Sequence, residues 1–97
     1  MRLRLTPEAY ADLDNIHSYI ADEQQRPQTA AAVVRQIEQS FERISNHPRI
    51  GRVTPFPDTR EYTIASLPFT VIYRLRDEWV EIITIFHESQ HPDKKRR

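Results

Sequence analysis

The chain has 97 residues, and its 14 basic and 14 acidic side chains give a formal net charge of zero. This length suits one domain with a single modest core, and the charge balance provides no overall field to attract nucleic acid or an anionic membrane. The absence of cysteine excludes disulfides and thiolate metal sites, and no apolar stretch has the length of a signal sequence or a membrane span, so we expect a cytoplasmic protein.

The first part of the chain predicts a short strand followed by a helix. Residues 1–5 alternate between apolar and basic, as in a strand with unlike faces. Thr6 can cap a helix, and Pro7 fits the first helical position. Apolar residues then recur at helical spacing, and they are Ala9, Leu13, Ile16 and Ile20. Asp12 is predicted to point mainly outward, and the helix is predicted to end within residues 22–27.

A second helix is predicted to begin at Thr29, which can cap it, and to end at Asn46-His47-Pro48. Its apolar stripe consists of Ala30, Val33, Val34, Ile37, Phe41 and Ile44. The two helices are joined by a short polar link and should form an antiparallel hairpin. Residues 48–58 hold three of the seven prolines and the only glycine, which predicts a stiff loop.

Three strand patterns follow the loop, the first of them beginning at Arg60. Apolar and polar side chains alternate over residues 69–76, which predicts a strand with one buried face. Residues 79–86 are β-branched or aromatic at nearly every position, which predicts a strand inside the sheet and covered on both sides. Asp77 and Glu78 should join these two strands as a tight hairpin.

The order of these elements predicts an α+β fold. An N-terminal strand and an antiparallel helical hairpin should pack on a mainly antiparallel four-stranded sheet, in the order β-α-α-β-β-β. We predict a single domain over residues 1–91. Residues 92–97 are largely basic and are predicted to form a disordered tail.

Arg60, Arg74 and His87 are the candidate functional side chains of the predicted sheet. Arginine binds carboxylates and phosphates through paired hydrogen bonds, and histidine transfers protons near neutral pH. The structural alternative is that both arginines pair with nearby acids such as Glu61 or Glu81, and that His87 only closes its strand. The spacing of the histidines predicts no metal site, and we predict no cofactor.

Segments spread over almost the whole chain resemble the RelE/ParE superfamily of small bacterial toxins from type II toxin–antitoxin modules. They are Thr6–Ala9, Asp12–Ile16, Ser18–Ala21, His47–Arg52, Arg60–Glu61, Phe69–Arg74 and Ile85–His87. No single segment is diagnostic, whereas their order and spacing together are specific. The ParE branch is matched better than the looser members of the superfamily.

The two branches imply different activities. RelE-like toxins cut messenger RNA on the ribosome without a metal, whereas ParE-like toxins poison DNA gyrase by binding it. RelE-like toxins carry an arginine where this chain has Thr70, and His87 is followed here by Glu88, whose charge opposes the docking of a polyanion. The resemblance therefore implies a binding inhibitor of gyrase and not an enzyme. The alternatives are a RelE-like endoribonuclease using Arg60, Arg74 and His87, and an inactive antitoxin-binding module.

The resemblance also implies partners. A cognate ParD-like antitoxin would neutralise the toxin in a hetero-oligomeric complex, and the toxin would reach DNA only through the antitoxin. A disordered, partly helical antitoxin segment is expected to fold onto an apolar groove between the helical hairpin and the sheet. The candidate antitoxin contacts are Leu13, Ile16, His17, Ile20 and Trp79. The candidate gyrase contacts are Arg60, Arg74 and His87, together with the Pro-rich loop.

Overall fold

The computed structural model of the protein describes residues 1–90. Its elements are β1 (Arg2–Leu5), α1 (Pro7–Ser18), one turn of π-helix (Tyr19–Glu23), α2 (Pro27–Asn46), β2 (Arg52–Val53), β3 (Thr59–Thr63), β4 (Phe69–Arg76), β5 (Trp79–His87) and a 3₁₀ turn (Glu88–Gln90). The predicted domain end at residue 91 and the predicted tail at 92–97 lie outside the described residues.

The five strands form one sheet in the order β1-β5-β4-β3-β2. β1 pairs with β5 in parallel, and the other neighbouring strands are antiparallel. The predicted α+β fold with its helical hairpin and mainly antiparallel sheet is confirmed, but the predicted number of strands is one too few. The additional strand β2 is only two residues long and lies in the Pro-rich loop, where pairing with β3, and not a local alternation, defines it.

The start of α1 confirms the prediction at Thr6. The Oγ1 atom of Thr6 accepts a hydrogen bond from the backbone N–H of Ala9 at 3.1 Å, and Pro7 is the first helical residue. The π turn continues α1 as far as Glu23, so the helical segment ends within the predicted range of residues 22–27. Neither this segment nor any other helix within residues 1–90 has both the length and the apolar character required to cross a membrane.

The start of α2 corrects the sequence-based prediction. The helix begins at Pro27 with Arg26 as the preceding cap residue, so the predicted cap at Thr29 is wrong. Proline has a fixed φ and no N–H, which suits the first helical position, and the chain therefore enters the helix two residues earlier. Gln25 has a φ of 55° and makes the turn between the helices. The predicted end of α2 at Asn46 is confirmed.

Both helices pack on one face of the sheet, which we call the inner face. The core consists of Ala9, Leu13, Ile37, Phe41, Ile44, Ile64, Val71, Tyr73, Val80, Ile82 and Ile85, with smaller contributions from partly buried apolar side chains around it. Because side chains alternate along a strand, the even-numbered residues of β4 lie on the opposite face, which we call the outer face. No helix within residues 1–90 packs on the outer face. β5 lies inside the sheet as predicted, but the prediction that both its faces are covered is wrong, since Glu81 and Ile83 are only half-buried.

Asp12 closes the free edge of β5. The parallel pairing with β1 ends at Ile82. Beyond that point, Oδ2 of Asp12 accepts hydrogen bonds from the backbone N–H of Ile85 at 3.0 Å and from the hydroxyl of Thr84 at 2.6 Å. The prediction that Asp12 points mainly outward is therefore wrong, because the edge of the strand supplies a backbone donor that the helix sequence does not reveal.

Candidate functional site

Tyr73 anchors the start of the Pro-rich loop to the centre of the sheet. Its side chain is fully buried, and its hydroxyl donates a hydrogen bond to the carbonyl of Pro48 at 2.7 Å and accepts one from the N–H of Gly51 at 2.9 Å. Burial raises the pKa of Tyr73, while the hydrogen bond from Gly51 and the charge of Arg60 act in the opposite direction. The phenol therefore stays protonated near neutral pH and donates to Pro48.

Gly51 is required by the close approach of this loop to the sheet. A Cβ atom at this position would lie 2.6 Å from the Tyr73 hydroxyl and 2.8 Å from the carbonyl oxygen of Glu61. Both distances are shorter than van der Waals contact, and the Glu61 atom belongs to the backbone of a paired strand. The only glycine of the chain therefore permits the Tyr73 anchor.

Arg60 holds the same loop from β3. Its Nη1 atom donates hydrogen bonds to the carbonyls of Gly51 at 2.8 Å and Arg49 at 3.3 Å. Cross-strand partners point to the same side of a sheet, and Arg60 pairs with Tyr73, so Arg60 lies toward the inner face. The guanidinium group is thus engaged with the loop backbone.

The two acids proposed as structural partners bind other arginines. Glu61 is hydrogen-bonded to Arg52, its cross-strand partner on β2. Glu81 forms an ion pair with Arg4 of β1 at 3.3 Å. These pairs lie at exposed or half-exposed sites, where an ion pair stabilises the fold only slightly.

Arg74 lies on the outer face, opposite to Arg60. Its cross-strand partners are Thr59 on β3 and Glu81 on β5. The Nε atom of Arg74 is buried and has no hydrogen-bond acceptor among residues 1–90. Buried donors are nearly always paired in folded proteins, so this atom is an unusual feature of the face.

His87 ends β5 on the side of the sheet that faces α1. Its ring meets the ring of its cross-strand partner Phe69 edge to face, with centroids 5.4 Å apart. The Nδ1 atom of His87 accepts a hydrogen bond from the backbone N–H of Ser89 at 3.0 Å. These local contacts are those expected of a histidine that closes its strand.

A groove of about 870 Å³ lies between the end of α1 and the adjoining ends of β4 and β5. Its lining combines the apolar side chains of Ile16, Ile20 and Phe69 with polar and acidic ones, which are Asn15, Ser18, Tyr19, Asp22, Glu23, Gln24, His87 and Ser89. This groove lies between the helical hairpin and the sheet, where the antitoxin segment is predicted to bind. The structure thus brings Ile16 and Ile20 together with His87.

The other predicted antitoxin contacts lie elsewhere. Leu13 is buried in the core, and His17 is exposed but does not line the groove. Trp79 lies at the far side of the sheet, where the guanidinium carbons of Arg2 and Arg4 are 5.6 and 4.8 Å from its ring centroid. Its cation–π contacts belong to the outer face and not to the groove.

The three candidate target residues do not converge. Arg60 and Arg74 lie on opposite faces of the sheet. Arg60 pairs with Tyr73 and His87 pairs with Phe69, four residues away along β4, a separation of about 13 Å at the rise of a strand. A base, an acid and a cation that act on one phosphate must all reach it together. Within residues 1–90, no three histidine or acidic side chains lie close enough together to hold a metal ion.

Solved structures identify the class of protein that this fold defines. The chain is similar to the chromosomal ParDE toxin–antitoxin system from P. aeruginosa, with a TM-score of 0.80 and 26% sequence identity over 90% of this chain and 95% of that one. It also shares its fold with the isolated E. coli RelE toxin, with a TM-score of 0.68 and 16% identity over 98% and 92% of the two chains. The fold is therefore that of the RelE/ParE superfamily of toxins, as the resemblance predicted.

Sequence comparison identifies the family within this class. Residues 3–92 match the family model described as the ParE toxin of the type II toxin–antitoxin system parDE. Y4kP of Sinorhizobium fredii, named as a candidate toxin, is 36% identical over 89 residues, which cover 92% of this chain and 90% of the relative. Toxin ParE1 of Caulobacter vibrioides is 32% identical over 88 residues, covering 91% and 90%. The chain belongs to the ParE toxin family of type II toxin–antitoxin systems.

Proposed function

We propose that this toxin arrests bacterial growth by binding DNA gyrase, and that a cognate ParD-like antitoxin neutralises it. The observation that carries the proposal is the separation of Arg60, Arg74 and His87. Side chains on opposite faces and at different ends of a sheet suit an extended contact with a macromolecule, whereas RNA cleavage requires them around one phosphate. Arg60, Arg74 and His87 thus act as contacts or supports in binding surfaces on the two faces of the sheet.

The Pro-rich loop contributes the second part of this surface. Tyr73 and Arg60 fix its backbone through the bonds to Pro48, Arg49 and Gly51. The loop nevertheless exposes apolar side chains, with Ile50 42% and Phe56 63% exposed. A loop that is ordered before binding loses less conformational entropy when a partner docks, so fixed apolar side chains favour a target contact.

The antitoxin is proposed to occupy the groove between α1 and the ends of β4 and β5. The apolar part of its lining, formed by Ile16, Ile20 and Phe69, suits the apolar stripe of an amphipathic helix, and its polar part suits the edge of that stripe. A segment that is disordered alone and folds on the toxin would cover this groove and produce a hetero-oligomeric complex. DNA binding by that complex would come from the antitoxin.

The test is a direct comparison of the two possible targets. The purified chain should inhibit supercoiling by purified gyrase and leave ribosome-bound messenger RNA intact. Co-expression of the antitoxin encoded beside the toxin should restore growth. Cleavage of ribosome-bound RNA at stoichiometric amounts of the chain would instead support the RelE-like ribonuclease. Unchanged growth on induction of the chain alone would support the inactive antitoxin-binding module.

Arg60→Ala examines the part played by the loop. Loss of the two carbonyl contacts should loosen the loop and weaken growth inhibition, while the domain stays folded by circular dichroism. Arg35→Ala, which removes an exposed arginine of α2, is the matched control and should leave growth inhibition unchanged. Full growth inhibition by Arg60→Ala at normal expression would contradict the role given to Arg60.

A further inference from the structure

The outer face of the sheet carries an excess of positive charge. Cross-strand register places on it Arg2, Arg4, Arg52, Arg74 and Arg76. Among the strand residues described, the glutamates of this face are already bound, Glu81 by Arg4 and Glu61 by Arg52. Arg2, Arg74 and Arg76 therefore exceed the glutamates of this face, and Arg74 and Arg76 lie on the central strand β4.

Arg74 and Arg76 border a shallow depression of about 410 Å³ on this face. The rest of its lining combines the apolar side chains of Ile72, Ile83 and Phe56 with Pro57, Thr59 and the acidic Asp58, so two arginines there face one carboxylate. The buried Nε of Arg74 lacks an acceptor among the described residues, which destabilises the unbound fold. Because a guanidinium group binds a carboxylate through paired hydrogen bonds, the two arginines at the border of the depression suit a carboxylate ligand.

The same face extends toward Trp79, which is the cross-strand partner of both Arg76 and Arg2. The side chain of Trp79 is half-buried, and its ring is flanked by the guanidinium groups of Arg2 and Arg4. Tryptophan and arginine are the residues most enriched among the strong contacts of protein interfaces. The depression and the Trp79 cluster together form one surface of cations interleaved with apolar groups.

The apolar side chains of the depression distinguish between an acidic protein segment and a nucleic acid as the ligand. A nucleic acid presents a continuous row of phosphates, which makes no use of Ile72, Ile83 or Phe56. A protein segment with both carboxylates and apolar side chains complements both features of the surface.

We propose that the outer face binds an acidic, partly apolar segment of the protein target, with one carboxylate held by Arg74 and Arg76. The inference rests on the proposed function and deepens it, because it assigns the target to the outer face. The groove beside His87 lies on the side of the sheet that faces α1, so the antitoxin and the target use different faces.

Arg74→Met is the first test, since it keeps an unbranched apolar side chain in place of the arginine stem and removes the unpaired donor. Its melting temperature should equal or exceed that of the wild type, while binding to purified gyrase should weaken at least about tenfold. Binding of the antitoxin should not change. Arg35→Met on α2 is the matched control and should bind gyrase like the wild type. A lowered melting temperature, full gyrase binding, or an equal loss of antitoxin binding would overturn the inference.

Arg76→Gln provides a second variant at an exposed position, and its binding to gyrase should also fall with the melting temperature unchanged.

The chemistry of the ligand is tested by comparing two labelled probes of about equal charge. One is a 16-residue peptide of glutamate and leucine (about 8 carboxylates), and the other is a single-stranded DNA. Binding of both is measured over the salt range where phosphate contacts weaken. The peptide should bind the wild type more tightly than the DNA and should bind Arg74→Met more weakly. Tighter binding of the DNA, lost in Arg74→Met, would overturn the proposal in favour of a nucleic-acid ligand.

Growth arrest by the variants in cells shows whether the outer face matters even if gyrase is not the target. If the wild type does not bind gyrase, the proposed target is wrong, but the outer face is still tested in cells. Induction of Arg74→Met should then fail to arrest growth, whereas Arg35→Met should arrest it fully. Equal growth arrest by both variants would overturn the role of the outer face whatever the target is.

Discussion

The hydroxyl of Tyr73 accepts a 2.9 Å hydrogen bond from the backbone N–H of Gly51, which lies 22 residues earlier in the chain. The same hydroxyl donates to Pro48, so one buried phenol satisfies a donor and an acceptor of the Pro-rich loop. Arg60 holds the other side of this loop through the carbonyl of Gly51. The segment that exposes Ile50 is thus fixed to the central strand of the sheet.

Tyr73→Phe should lower the free energy of unfolding by about 1–3 kcal/mol, because Gly51 and Pro48 lose their buried partner. Urea denaturation followed by circular dichroism measures this change. Tyr62→Phe is the matched control, since the Tyr62 hydroxyl accepts a hydrogen bond from Arg43 at an exposed site and its loss should have a smaller effect. An equal loss of stability in the two variants would show that Tyr73 does not anchor the loop.

The raised pKa of Tyr73 predicts a loss of stability in alkali. Because burial raises this pKa above the ordinary value of 10.0, the folded state keeps the proton at pH values where the unfolded state releases it. The stabilisation is fully present below the ordinary pKa and is lost as pH rises through the folded-state pKa. Urea midpoints measured from neutral to alkaline pH should therefore fall more steeply for the wild type than for Tyr73→Phe. Parallel curves would contradict the prediction.

Gly51→Ala should destabilise the domain by about 1–3 kcal/mol, because the new methyl group would overlap the Tyr73 hydroxyl and the Glu61 carbonyl. The free energy of unfolding of the single and double variants tests the shared contact. Gly51→Ala combined with Tyr73→Phe should lose less stability than the sum of the two single losses. Tyr73→Phe removes the hydroxyl that the new methyl group would overlap, so that part of the cost of Gly51→Ala disappears in the double variant. Strict additivity would mean that residue 51 and Tyr73 do not interact.

Asp12→Ala should free the edge of β5 and lower the free energy of unfolding by about 1–3 kcal/mol, since the N–H of Ile85 loses its acceptor. Hydrogen exchange at the Ile85 amide should accelerate more than exchange elsewhere in the sheet. Asp14→Ala removes an exposed carboxylate from the same helix and serves as the control. Unchanged exchange at Ile85 in Asp12→Ala would contradict the assigned contact.

The helices and strands could be predicted wherever the periodic pattern of apolar residues extended over several residues. The alternation along β4 and the helical spacing along α2 predicted both elements. β2 was missed because its two residues, Arg52 and Val53, carry no readable period, and its pairing with β3 is a tertiary contact. Pro27 was taken as the end of one helix, although its geometry equally suits the start of the next.

The arrangement of the site depends on register, which the sequence does not specify. Arg60 and Arg74 both lie in alternating strands, but the pairing of Arg60 with Tyr73 decides that they occupy opposite faces. The Tyr73 anchor and the Asp12 edge contact join residues far apart in the chain, so no local sequence motif predicts them. Ile16 and Ile20 were found because helical spacing alone places them together.

Ile16→Glu tests the assignment of the groove to the antitoxin. A carboxylate in the apolar part of the lining would lose hydration when an antitoxin helix covers it, so the affinity of the antitoxin should fall at least about tenfold. The change should leave the fold intact, because Ile16 is only partly buried. Calorimetric titration of the toxin with its antitoxin measures the affinity, and rescue of growth by co-expressed antitoxin reports it in cells. Ala11→Glu adds the same charge to an exposed position of α1 outside the groove and should bind the antitoxin like the wild type. If both variants bind equally well, the antitoxin docks elsewhere on the toxin.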